Sequence, residues 1–159
     1  MSPQDTHTPV RTSIVVDAPL ERAFSVFTGE MASWWPADHH ILAGELAGMV
    51  VEPHAGGRIY DRSVDGSICQ WGRVLAYEPP QRFVFSWDIS PQWQIQADPA
   101  RTSEVEVSFV PESPGRTRVE LEHRHLERHG EGWEAMREAV GSPGGWTKTL
   151  EAFAGRVRG

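Results

Sequence analysis

Cysteine is almost missing from this sequence: one thiol, Cys69, stands in 159 residues. A lone thiol excludes an internal disulfide and any metal site built from several cysteines. It also fits a reducing compartment. No apolar run approaches a membrane span, and the opening MSPQDTHTPV has no signal-peptide core. The chain therefore reads as cytoplasmic. Clustered basic charge is lacking too. The formal net charge is −7, from 22 acidic residues against 15 lysines and arginines, and the basic residues are scattered among glutamates. Such a surface argues against nucleic acid as a partner. No G-x-S-x-G elbow and no phosphate-cradling glycine loop occurs; Gly56-Gly57 and Gly144-Gly145 read as turn and helix-start glycines. Tyrosine is scarce, with two copies, and tryptophan is the reverse, with seven. An indole buries a large apolar area while keeping one N–H to satisfy, so it suits a cavity wall as well as a core.

Length allows one domain, since division would leave both halves short of core. Residues 1–10 read as a flexible tail and 11–159 as the domain. The β-branched run RTSIVVD predicts a first strand. Pro19 then opens a helix in which Leu20, Ala23, Phe24 and Phe27 share one face, and Gly29 closes it. EMASWWP predicts a second short helix, stopped by Pro36, that delivers Trp34 and Trp35. From residue 46 the period becomes two, and LAGMVVEP, GGRIYDRS, SICQWGRVLAYEP, RFVFSWDIS, TSEVEVSFVPE and GRTRVELEHRHL read as six further strands. Turn chemistry joins them, most sharply at Asp65-Gly66, so the strands form an antiparallel meander.

Phe83, Phe85 and Trp87 alternate with Arg82, Ser86 and Asp88, as Val105, Val107 and Phe109 do with Glu104, Glu106 and Ser108. One face of the sheet is apolar and the other charged, so a single side needs cover. In the strand at 67–79, Trp71 with Leu75 or Gly72 with Val74 would point inward, unless a bulge serves both. The cover comes from the C-terminus. A short helix carries Trp133, Met136 and Val140, GSPGG breaks it, and Trp146, Leu150, Phe153 and Val157 then recur on one helical face.

SIVVDAPLERAFSVFT, SWWP, GGRIYDRSVDGS, WGRVLAYEPPQRFVFSW, VELEHRHL and GGWTKTLEAF, in that order, carry a family resemblance. The chain resembles the START/birch-pollen-allergen-like (SRPBCC) superfamily, in the branch similar to the activator of the heat-shock protein 90 ATPase. The resemblance implies an α+β helix-grip fold: a curved seven-stranded antiparallel sheet around a long C-terminal helix, with two short helices after strand 1. Members bind lipids, hormones or polyketides, a few act as cyclases, and some assist the chaperone. The activator's separate N-terminal domain is missing here, which counts against co-chaperone activity.

The expected role is binding of a hydrophobic, aromatic small molecule in an internal cavity, as a carrier, sensor or sequestering protein. Trp35, Trp71, Phe85, Trp87, Trp93, Trp133 and Met136 would line that cavity, with Trp93 at its portal. His123 continues the face of Val119 and Leu121 and would supply a polar contact, and His125 would follow on the same side. Two alternatives stand beside this reading: a polyketide cyclase- or aromatase-like enzyme and a chaperone-linked interaction module. Asp61 and His123 are the one acid–base pair to consider for the enzyme, and Arg73 is a further charged group whose face alternation leaves undecided. No catalytic residue, cofactor or metal is assigned. His123, His125 and His129 with the pair His39-His40 lack evident convergence on a metal. A homodimer is compatible with the sequence.

Overall fold

The computed structural model describes residues 9–35 and 45–158. Most of the tail, Pro36 and the pair His39-His40 therefore lie outside the described residues. Strand β1 (Val10–Val16) leads into helix α1 (Leu20–Gly29) and a single turn at Met31–Ser33. Strands β2 (Leu46–Val51), β3 (Arg58–Ser63), β4 (Ile68–Glu78), β5 (Arg82–Trp87), β6 (Ser103–Ser113) and β7 (Arg116–Arg124) follow. Helices α2 (Trp133–Gly141) and α3 (Lys148–Arg158) complete the chain. The sheet order is β1-β7-β6-β5-β4-β3-β2 with every pairing antiparallel. β2 to β7 form the expected meander, and β1 returns beside β7. This is the helix-grip architecture. Its first strand opens at Val10, one residue inside the stretch read as tail.

Pairing register turns alternation into rows across the concave face. Phe83 faces Val107, which faces Leu121. One row along, Phe85 faces Val105, Val105 faces His123, and His123 faces Val10. All of these side chains are buried. Helix α3 lays Leu150, Phe153 and Val157 over the rows, and α1 adds Ala23, Phe24 and Phe27. Phe27 sits at the centre, with ring centroids 5.1 Å from Phe153, 5.7 Å from Phe109 and 4.8 Å from Trp34. Burial of each such ring contributes roughly 1.5–3 kcal/mol.

β4 resolves its ambiguity with bulges. Pairing slips between Ile59 and Tyr60 on one side and between Val74 and Ala76 on the other. Both Trp71 and Val74 consequently point inward and are buried, while Leu75 is 38% exposed. Gly72 makes this path available: a Cβ there would stand 2.9 Å from the Ser86 carbonyl oxygen. Arg73 turns to the other face, where its Nε and an Nη donate to Asp88 at 3.0 Å each and the same Nη reaches Thr102 at 3.1 Å.

β5 stops at Trp87, short of the expected Ser90. The chain folds into a small hairpin instead, with Ile89 bridged to Ile95 and the Ser90 amide donating to the Gln94 carbonyl at 2.7 Å. At the other end of the chain, the Pro143–Thr147 segment is a widened turn kinked at Gly145 (φ −93°, ψ −121°). A Cβ at Gly145 would lie 2.6 Å from the Ala139 carbonyl oxygen, so only glycine lets α2 fold this closely onto the start of α3. That fold-back aims Trp146 into the sheet.

Candidate functional site

Four indoles meet at one end of the concave face. The rings of Trp35 and Trp71 lie 5.4 Å apart, Trp71 and Trp87 5.9 Å, Trp87 and Trp146 5.4 Å, and Trp146 and Trp35 5.9 Å, closing a cycle. Each comes from a different part of the chain: the turn after α1, β4, β5 and the Pro143–Thr147 turn before α3. Phe85 completes the wall, 6.0 Å from Trp71 and 6.5 Å from Trp146.

A polar chain runs through this wall. Trp71 Nε1 donates to the buried carboxylate of Asp61 at 3.0 Å. Trp146 Nε1 donates to His123 Nδ1 at 3.0 Å. His123 Nε2 and His129 Nε2 each lie 2.7 Å from Ser103 Oγ. His123, His129 and Ser103 are all buried.

Donor and acceptor chemistry orders the protons along it. An indole N–H only donates, so His123 Nδ1 is bare and its Nε2 carries the hydrogen that Ser103 Oγ accepts. The Ser103 hydroxyl is then free to donate to His129 Nε2, which leaves the His129 hydrogen on Nδ1. Reversing the last bond would strand the hydroxyl hydrogen as well. His129 Nδ1 has no partner among the described residues, and neither has Trp87 Nε1. Both imidazoles are neutral at ordinary pH. Burial, with the adjacent His129, holds His123 down to about 3. Burial likewise lowers His129 to about 4, against a smaller upward pull from Asp88 and Glu127.

The remaining expected residues fall in different places. Met136 is buried in the core along α2, and Trp133 is partly buried against that core at the start of α2. Trp93 stands at the tip of the 88–96 hairpin, 44% exposed, in the left-handed region at φ 60°. His125 departs from the expectation: β7 ends at Arg124 and His125 turns through φ 64°, so alternation stops one residue before it. That turn starts the Leu126–His129 coil, which brings His129 rather than His125 to Ser103. Asp61 and His123 share the concave face, with Trp71 and Trp87 between them: Asp61 bonds Trp71, the Trp71 ring meets Trp87, and Trp87 meets His123. Among the described residues no three histidine, cysteine or carboxylate side chains gather as a metal site would require.

Sequence reasoning placed Trp146 in the helix core and did not single out Ser103. Ser103 was within reach, because stepping back two from Val105 on the inward face lands on it. His129 carried no periodic signal.

A groove of about 460 Å³ lies on the opposite, convex face, lined by Arg11, Ser13, Glu106, Ser108, Glu120 and Glu122. Its charge makes it unsuited to an apolar ligand.

A family model described as "Activator of Hsp90 ATPase homolog 1-like protein" matches residues 17–158. The chain belongs to this family. Within the wider SRPBCC fold, it is similar to the solved structure of an anthrahydroquino-Gama-pyrone synthase, Txn09, complexed with SUM. The identity is 45% over 93% of this chain and 96% of that one, with a TM-score of 0.66. CalC, a self-sacrificing resistance protein from Micromonospora echinospora, is 27% identical over 95% of this chain and 94% of its own, with a TM-score of 0.67. The protein NE0264 from Nitrosomonas europaea shares the fold at 17% identity and a TM-score of 0.68, covering 99% and 98% of the two chains. A search of curated proteins gave no match. No helix among the described residues is long and apolar enough to cross a membrane.

Proposed function

We propose that this family member binds a flat, hydrophobic aromatic molecule at the indole end of its concave face. The observation that carries the reading is the closed cycle of Trp35, Trp71, Trp87 and Trp146 set beside His123. Apolar rings with a few fixed polar groups are the usual lining of a small-molecule site. On this reading Met136 and Trp133 extend the wall from α2, and Trp93 guards the entrance. The similarity to a synthase whose name describes a fused aromatic product supports this ligand class. The similarity to a resistance protein supports a sequestering or carrier role.

Tryptophan fluorescence and thermal shift with alizarin, chromone and naphthalene test the proposal. Quenching and a raised melting temperature with at least one of them are expected, and a flat response to all three would defeat it.

A second reading, cyclase-like catalysis, is favoured by one specific feature. The chain Trp146–His123–Ser103–His129 ends on a buried N–H with no partner among the described residues, as a hydrogen-bond donor to a developing substrate oxyanion would. Ring closure of an o-hydroxyphenyl β-diketone to a γ-pyrone forms one C–O bond and releases one water, and absorbance follows it directly. Acceleration that vanishes in His129→Gln while probe binding persists would establish this reading; no acceleration over buffer would remove it.

A further inference from the structure

We propose that the Trp87 indole N–H is the polar anchor of the bound molecule, so that the ligand is a flat aromatic carrying an in-plane oxygen acceptor such as a ring carbonyl. The inference rests on the binding reading above and adds the ligand's functional group to it.

Trp87 is only 6% exposed, and its Nε1 has no hydrogen-bond partner among the described residues. Neighbouring indoles are treated differently. Trp34 donates to the Val26 carbonyl at 3.1 Å, Trp71 to Asp61 and Trp146 to His123. A buried donor left unmatched forfeits about 1–3 kcal/mol, which makes the exception at Trp87 informative. Its surroundings cannot repair it. The His123 ring, 5.4 Å away, has both nitrogens engaged, by Trp146 and by Ser103. Trp71 and Trp146, at 5.9 and 5.4 Å, have donor-only nitrogens already in use. The groups around Trp87 are thus π surfaces and spent polar atoms, which would grip the faces of a flat ring. The missing partner is an acceptor, and an indole cannot accept, so a ligand group that can only donate, such as an ammonium, would gain nothing from it.

Chromone and naphthalene are bicyclic molecules of similar size that differ by the γ-pyrone oxygens. Binding of both is measured by fluorescence quenching in wild type and in Trp87→Phe, which keeps an aromatic ring but removes the donor. The variant is expected to weaken chromone roughly fivefold while naphthalene stays within about twofold. A second readout does not depend on the variant's stability. In an amide-indole nitrogen correlation spectrum, the indole N–H resonance assigned to Trp87 should move downfield on adding chromone to wild type and stay in place with naphthalene. Equal weakening of both probes, or a Trp87 resonance that does not move downfield with bound chromone, overturns the anchor and leaves the binding reading standing. Binding of neither probe by wild type overturns the anchor, and a flat response to alizarin as well overturns the binding reading.

Discussion

At one end of the concave face Phe24, Phe27, Phe109 and Phe153 meet edge to face, with centroids 5.1 to 5.7 Å apart. At the other end the indole cycle meets His123, Ser103 and His129. The same sheet, the same α3 and the same depth of burial serve both. In the phenylalanine half the four rings carry no polar atom, and the Trp34 indole packed against them has its N–H satisfied by the Val26 carbonyl. In the indole half nearly every ring carries a nitrogen, and two of those nitrogens have no partner among the described residues. A protein that needed only a core could have continued phenylalanine along the rows. Burying polar atoms costs free energy unless each is bonded, so the indole half holds polarity that stability alone does not require. On the binding proposal, that difference is what would separate a core from a site within one continuous apolar surface.

The sharpest way to break the comparison is to hollow out the phenylalanine half. Phe27→Ala removes a fully buried ring in contact with Trp34, Phe83, Phe109 and Phe153. A loss of about 3–5 kcal/mol is expected from chemical denaturation. Probe affinity in the fraction that stays folded should change little. A large selective loss of probe affinity with little loss of stability would mean the two halves are one unit.

Acid should expose the polar half first, before the carboxylates titrate. A histidine in the unfolded chain titrates near 6.5, whereas His123 and His129 resist protonation in the fold down to about 3 and about 4. Below pH 6.5 the unfolded chain takes up protons that the folded one refuses, so stability falls as acid is added. Above about pH 7 the two residues are neutral in both states and add no slope. The loss by about pH 4.5 is on the order of 2 kcal/mol for each histidine. Denaturant midpoints across that range measure it, and His129→Gln should roughly halve the slope. A flat profile in wild type would show that these imidazoles are not held neutral by burial.

Ser103→Ala is the next step down. It leaves His123 Nε2–H and His129 Nε2 facing a methyl group, at an expected cost of about 1–3 kcal/mol with the fold intact. The indole resonance of Trp146, which bonds His123, should shift as well. Loss under about 0.5 kcal/mol would mean water replaces the hydroxyl and the chain is not closed.

Most of the fold was legible because alternation and turn residues act locally. Phe83, Phe85 and Trp87 declared their face by period two, and Asp65-Gly66 fixed a hairpin, its Gly66 standing at φ 90°. The site was legible only in part. Trp35, Trp71, Phe85, Trp87 and His123 were singled out, and the structure brings them together with Trp146. What sequence could not carry is how separate elements converge. His125 looked equivalent to His123 until the strand ended between them, and His129 arrives by a left-handed turn that no periodicity foretells. Arg73 faced outward because two bulges let both Trp71 and Val74 face inward.

The smallest expected effect sets the scale for the others, because it comes from polar groups that keep their water. On the convex face Arg82 donates to Glu106 at 2.7 Å, and Arg124 binds Glu104, Glu106 and Glu122. The Arg124 guanidinium, and then Arg82, hold the Glu106 carboxyl below its ordinary range. Arg82 is about a third exposed and Glu106 about a quarter, so solvent and salt screen this pair. Arg82→Ala should therefore cost only about 0.2–1 kcal/mol, and less at higher ionic strength. Denaturation of wild type and variant in low and high salt checks this. A loss as large as that of Ser103→Ala, unaffected by salt, would mean that polar groups outside the concave face are as costly to disturb as those within it. The contrast between the two halves would then not identify a site.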